Sequence, residues 1–129
     1  MNIPKNLLYS KSHEWIKFID EGTAYIGLTD YAQNALGDVV FINLCDTGEQ
    51  LEIETVIGDV ESIKAVSDIY SPVDGVVDEI NEEAVENSAL INSVPYDAWL
   101  IKVNGITDKS SLISAEEYEK LISELDENN

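Results

Sequence analysis

Residues 55–80 read TVIGDVESIKAVSDIYSPVDGVVDEI. Two β-rich runs, TVIGDVESI at 55–63 and GVVDEI at 75–80, lie within this stretch. The turn signal Ser71-Pro72-Val73-Asp74-Gly75 separates them, Pro presetting φ and Gly tolerating positive φ. In the first half Val60 and Ile63 precede Lys64, and Ala65, Val66 and Ile69 follow it. One basic residue therefore interrupts an apolar and acidic stretch of β type, which predicts Lys64 at the tip of a hairpin. By residue type alone it is an ordinary solvated surface lysine.

Further short runs extend the pattern on both sides, VVFINL at 39–44 and WLIKV at 99–103, with Asp46-Thr47-Gly48 as another turn. Short strands at this spacing predict a mainly β fold, a sandwich or flattened barrel, with its β core over 38–103. Residues 37–43, GDVVFIN, echo residues 75–81, GVVDEIN, as two similar halves of one β domain would. Toward the N-terminus, WIKFIDEGTAYIGL at 15–28 has β-branched and aromatic residues on both sides of Asp20-Glu21-Gly22, so a hairpin is predicted over 13–28. His13 and Glu14 then stand at its mouth.

A short helix is predicted near 29–36, opened by Thr29 or Asp30 and closed by Gly37. A second is predicted near 114–125, where Ser114 and Glu117 have capping-box spacing and Tyr118, Leu121, Ile122 and Leu125 form one apolar stripe for packing on the β domain. The tail Asp126-Glu127-Asn128-Asn129 is expected to fray.

At 129 residues the chain fits a single domain, 1–129. Its apolar runs fall far short of the roughly 20 residues that span a bilayer. Twenty-six acidic against seven basic side chains give a formal charge of −19, which repels phosphate backbones and anionic lipid, so neither nucleic acid nor membrane is an expected partner. That acidity keeps a surface soluble, or steers it toward basic partners. Met1-Asn2-Ile3-Pro4-Lys5 has neither an apolar signal core nor an Arg-rich amphipathic leader. The expected setting is the cytoplasm, or the mitochondrial matrix for a eukaryotic chain whose leader is gone. Cys45 is the only cysteine, which excludes an intramolecular disulfide.

Self-contained chemistry is hard to assemble from these residues. The single histidine, His13, cannot build a His/Cys metal cluster, and Cys45 has no second zinc ligand at usual spacing. Phosphate-cradling glycine motifs are absent, and no nucleophile elbow accompanies Ser12 and His13. No catalytic residues and no metal site are expected.

The segment VESIKAVSDIYSPVDG at 60–75 resembles the lipoylation site of glycine cleavage H proteins. The likeness continues through YSKSHEW at 9–15, GLTDYAQ at 27–33, LGDVVF at 36–41, LINSVPY at 90–96 and WLIK at 99–102, in order and over about residues 7–125. It implies a lipoyl-domain type of fold and lipoate as cofactor, amide-linked to Lys64. Biotin carriers present Met on both sides of their lysine, whereas Lys64 stands between Ile63 and Ala65, so biotin is disfavoured. Two departures are Ala35, where some members have histidine near the arm's resting cleft, and Asp97-Ala98, where the family has glycine.

The resemblance further implies a carrier of the glycine cleavage system and not an enzyme. In that family a pyridoxal-phosphate glycine decarboxylase (P protein) places the aminomethyl group of glycine on the arm. A tetrahydrofolate-dependent aminomethyltransferase (T protein) removes the methylene, and dihydrolipoyl dehydrogenase (L protein) reoxidises the dithiol. A lipoate ligase or a lipoyl/octanoyl transferase attaches the arm. Its five-membered dithiolane cannot reach the torsion of about 85–100° that a relaxed disulfide prefers, which primes it for attack.

Ser12, Glu14 and Asp68 match positions lining the arm's cleft, where carboxylates favour a cationic cargo. The plain reading of Glu14 and Asp68 is surface acids, with shaping of the turn after Ser67 as a second plain reading of Asp68. Glu61, three residues before Lys64, is a candidate recognition residue for the lipoylating enzyme. Beside the carrier stand a relay that passes lipoyl groups to other complexes and an unmodified acidic binding module.

Overall fold

The structure is a computed structural model that describes residues 1–127. Alternation of side chains decides which way each strand faces. In β2 (Glu14–Asp20) and β3 (Thr23–Leu28), Ile16 and Ile26 point into the main core while their neighbours Trp15 and Tyr25 point to the opposite face. The two strands pair antiparallel as predicted, and the Gly22 amide donates to Asp20 Oδ1 (2.9 Å) inside the turn. β1 (Leu8–Tyr9) adds to the outer edge of β2. β9 (Ile101–Asn104), β8 (Gly75–Ile80) and β5 (Gln50–Leu51) continue on the far side of β3, giving a six-stranded sheet in the order β1-β2-β3-β9-β8-β5.

The second sheet has three strands in the order β4-β6-β7, namely β4 (Val39–Leu44), β6 (Val56–Ser62) and β7 (Val66–Tyr70). Every pairing is antiparallel. Ile42, Ile57, Val60 and Ile69 from this sheet join Ile16, Ile26, Val77, Ile101 and Val103 from the other in one apolar core. The fold is mainly β, the described residues forming two antiparallel sheets and four helices. The sheets do not close into a barrel, which takes the sandwich side of the expectation. The echoing segments became β4 and β8, one in each sheet.

Both predicted helices form. Helix α1 (Asp30–Leu36) is capped by Thr29, whose Oγ1 accepts from the Ala32 amide (3.1 Å), and it ends at Gly37 with φ 77°. Helix α4 (Ala115–Glu127) opens with the predicted capping box: the Glu117 amide donates to Ser114 Oγ and the Ser114 amide to Glu117 Oε1, each at 3.1 Å. Tyr118 and Ile122 pack with Leu7, Tyr9, Trp15 and Ala115 in a second cluster on the outer face of the large sheet.

Some boundaries differ from the sequence reading. No glycine or proline stops α4 at Leu125, so it continues and Asp126 and Glu127 are helical, not frayed; the frayed tail expected at Asn128 and Asn129 lies outside the described residues. The run at 99–103 begins pairing only at Ile101. Trp99 and Leu100 precede it outside the strand, held by the Leu100 amide donating to the Ile26 carbonyl (2.8 Å) and by Asn81 Nδ2 donating to the Trp99 carbonyl (2.7 Å). β1, β5, α2 (Glu82–Glu86) and α3 (Leu90–Ser93) were not foreseen, because two to five residues are too few for a period to show. α2 and α3 bury Ala84 and Ile91.

Candidate functional site

The strands β6 and β7 pair as far as Glu61 opposite Val66, and the chain then turns through Ile63 and Lys64. Ser62 builds that turn: its amide donates to the Ala65 carbonyl (2.8 Å), and its Oγ accepts from the amides of Lys64 and Ala65, each at 3.2 Å. The Ile63 amide donates to the Asp38 carbonyl (3.0 Å), tying the turn to the entry of β4. Lys64 is thus an exposed side chain on a fixed backbone, at the hairpin tip as predicted.

Its aliphatic end lies over Gly37. A β-carbon at 37 would stand 3.2 Å from Lys64 Cε, and the backbone there is left-handed, so glycine serves both the helix end and the passage above it. A cleft of about 350 Å³ lies between α1 and β7, with Leu36, the neighbour of Gly37, in its wall. Leu28, Leu36, Val60 and Ile69 supply apolar wall, Tyr31 and His13 the aromatic side, and Ser12, Glu14 and Asp68 polar groups. The three candidate cleft residues therefore line one space. Ala35 lines it too, where its methyl adds room and no hydrogen bond.

Glu14 is only 1% exposed, which corrects the reading of it as a surface acid. Its Oε1 accepts from Ser10 Oγ (2.6 Å) and Ser12 Oγ (2.5 Å). Burial pushes the Glu14 carboxyl above the usual carboxylate range, against the opposing pull of those two hydroxyls. Asp68 is exposed and lies within β7 opposite Asp59, so it does not shape a turn. Glu61 is partly exposed on β6, in register with Phe41 of β4 and Val66 of β7.

His13 was placed at the strand mouth by sequence but not assigned to the cleft. It takes φ 76°, a left-handed conformation in which His is enriched among non-glycine residues. Its ring packs on Tyr31 at 4.7 Å between centroids, and its Nδ1 meets the Tyr118 hydroxyl at 2.9 Å. That hydroxyl also meets Thr29 Oγ1 at 2.7 Å. Thr29 Oγ1 already accepts from Ala32, so the direction that satisfies every group runs from Thr29 to Tyr118 to His13 Nδ1. Burial holds the His13 imidazole below its ordinary value, in keeping with an accepting Nδ1. The C-terminal helix is thereby tied to both the cap of α1 and the wall of the cleft. The stripe containing Tyr118 was legible in sequence; its hydroxyl's partners, 89 and 105 residues away, were not.

Charge elsewhere is barely compensated. Lys102 Nζ to Asp78 Oδ2, at 3.5 Å, is the one ion pair among the described residues. No group of three His, Cys, Asp or Glu side chains among them could hold a metal ion, and no helix among them is long and apolar enough to cross a membrane. Cys45 is half-buried, and burial together with nearby Glu49 and Asp46 pushes its thiol up, away from reactivity.

Fold and site together define a small two-sheet β domain that displays one lysine on a hydrogen-bonded hairpin beside a largely apolar cleft that carries two carboxylates, Glu14 and Asp68. The family model described as glycine cleavage H-protein matches residues 7–125. A glycine cleavage system H protein of Lachnoclostridium phytofermentans is 51% identical over 122 residues, covering 95% of this chain and 96% of the relative. One from Herpetosiphon aurantiacus is 48% identical over 124 residues, covering 95% of each. The crystal structure of a glycine cleavage system H protein from Mycobacterium marinum superposes with a TM-score of 0.88 at 37% identity, covering 94% of this chain and 99% of that one. The chain belongs to the glycine cleavage H-protein family.

Proposed function

We propose that this chain is a lipoyl-bearing carrier of the glycine cleavage system, one lipoyl-carrier domain with lipoate joined by an amide to Lys64. The observation that carries the reading is the exposed lysine on a hydrogen-bonded hairpin tip whose side chain lies over Gly37, next in the chain to Leu36 of the cleft wall. The residues suit the group: an apolar wall for a hydrocarbon arm, and a polar side for what it carries. Attached there, lipoate supplies a dithiolane disulfide able to accept the aminomethyl group of glycine and yield it again.

The chain's own residues bind, orient and exclude water. Leu28, Leu36, Val60 and Ile69 line one side of the cleft with apolar surface, which would displace water from a hydrolysable cargo resting there. Glu14, oriented by Ser10 and Ser12, and Asp68 on the strand edge set negative charge where a cationic aminomethyl group would rest. In a buried setting that attraction is far stronger than in water. Glu61 serves recognition by the lipoylating enzyme.

The proposed partners are the glycine decarboxylase, the aminomethyltransferase, dihydrolipoyl dehydrogenase, and a lipoate ligase or lipoyl/octanoyl transferase. The protein serves them without catalysis of its own, and the proposed setting is the cytoplasm. Reconstitution tests this. Lipoylated protein with glycine and the decarboxylase is expected to release carbon dioxide, then ammonia once the transferase and tetrahydrofolate are added, then NADH with the dehydrogenase and NAD. Absence of glycine-dependent carbon dioxide from protein whose Lys64 is verified as lipoylated would contradict the reading.

A further inference from the structure

The three most exposed large apolar side chains of the described residues gather at one end of the small sheet. Ile63 in the turn is 67% exposed, Val66 on β7 65% and Phe41 on β4 64%. Phe41, Glu61 and Val66 are directly in register across β4, β6 and β7, so they form one row on one face, with Ile63 at the tip beyond it. Exposure on this scale leaves apolar area in water unless another surface covers it. The next row on that face is Asn43, Asp59 and Asp68, so carboxylates border the apolar row.

Geometry selects the occupant. A bond made to Lys64 Nζ requires the acyl donor to come within bonding distance of that atom, no farther from the turn than one lysine side chain. The enzyme making it must press on the turn itself, where Ile63 and the row wait. An enzyme that works at the distal end of an attached arm has no such requirement.

We propose that Phe41, Ile63 and Val66 form the docking surface of the acylating enzyme in particular, which meets them with an apolar centre and a basic rim. The proposal rests on Lys64 being the acylated residue. With an acyl adenylate made from lipoate and ATP, pyrophosphate having left, the Nζ lone pair attacks the carbonyl. The C–N amide bond forms as the C–O bond to AMP breaks, and Nζ gives up a proton to the enzyme. The row aligns this encounter. The bordering acids, Glu61, Asp59 and Asp68, complement a basic rim and make the encounter sensitive to salt.

The test compares initial rates of lipoyl transfer by a lipoate ligase, read by intact mass, for the parent, Phe41→Ser, Ile63→Ser, their double variant, and Ile19→Ser. Ile19 is 49% exposed on β2 of the other sheet and serves as the control, while Val66 is left intact because it also touches the cleft. Truncating exposed anchors should lower kcat/KM about tenfold or more in the double variant, carried by KM. Ile19→Ser should match the parent, and transfer should slow as salt rises. All forms are then brought to full modification and their arms reduced with NADH by dihydrolipoyl dehydrogenase, which is expected to run at parental rate throughout. Parental transfer rates in the double variant, or a fall in arm reduction as large as the fall in transfer, would overturn the proposal. A parent that gains no mass at Lys64 would remove the lysine reading itself, and the docking proposal with it.

Discussion

Tyr118→Phe removes one oxygen and leaves the ring. Tyr118 is fully buried and stacks parallel on Tyr9 at 4.6 Å, so phenylalanine keeps the apolar contact. What goes is the hydroxyl that meets Thr29 Oγ1 at 2.7 Å and His13 Nδ1 at 2.9 Å. Two hydrogen bonds at about 1 kcal/mol each are lost, and the fully buried Thr29 hydroxyl keeps no acceptor, so the sum is about 2–3 kcal/mol. For a domain of this size that lowers the thermal midpoint by about 7–10 °C. Urea unfolding followed by tryptophan fluorescence suits the assay, because Trp15 lies in the same cluster as Tyr118. The fluorescence midpoint should fall with no change in m. A thermal midpoint within about 2 °C of the parent, or an unchanged urea midpoint, would refute the hydrogen-bonded link between α4, α1 and the cleft wall.

Glu14→Gln isolates a buried charge. Because the folded chain holds the Glu14 proton more tightly than the unfolded one, this group's stabilising contribution is complete below pH of about 4.3 and is lost as pH rises through the folded value. The stability difference should therefore move in the variant's favour with rising pH, by about 1.4 kcal/mol for each tenfold difference in proton affinity between the two states, and a flat or opposite trend in paired urea titrations would count against burial of the carboxylate. Gly27→Ala puts a β-carbon 2.5 Å from Trp15 Cζ2, while the indole is held by its Nε1 donating to the Pro95 carbonyl at 3.0 Å. A loss of about 1–3 kcal/mol by chemical denaturation is expected, and parental stability would show that Trp15 moves freely.

How much of this was legible depends on the range of the interaction. The hairpin at 13–28, the strand at 39–44, the turn at Lys64 and the capping box at Ser114 all rest on neighbours within a few residues, and each stands where the sequence put it. Ser12, Glu14 and Asp68 came from resemblance, and the fold gathers them along one cleft. Sequence did not show that Glu14 is sealed from water, because burial depends on β7 and α1 closing over it. Nor did it show the nearness of Gly37 to Lys64 or the bond between His13 and Tyr118, which join residues 27 and 105 positions apart. The short helices α2 and α3 were invisible for a different reason: one turn has no period to read.

The proposed carrier role depends on Lys64 bearing the arm. Intact and peptide mass spectrometry of the protein after incubation with a lipoate ligase, lipoate and ATP, beside Lys64→Ala, tests it most directly. The expected result is one lipoyl-amide mass increment, confined to the peptide containing Lys64 and absent from the variant. No increment under conditions that modify a control lipoyl domain, or an increment that persists in Lys64→Ala, would contradict it.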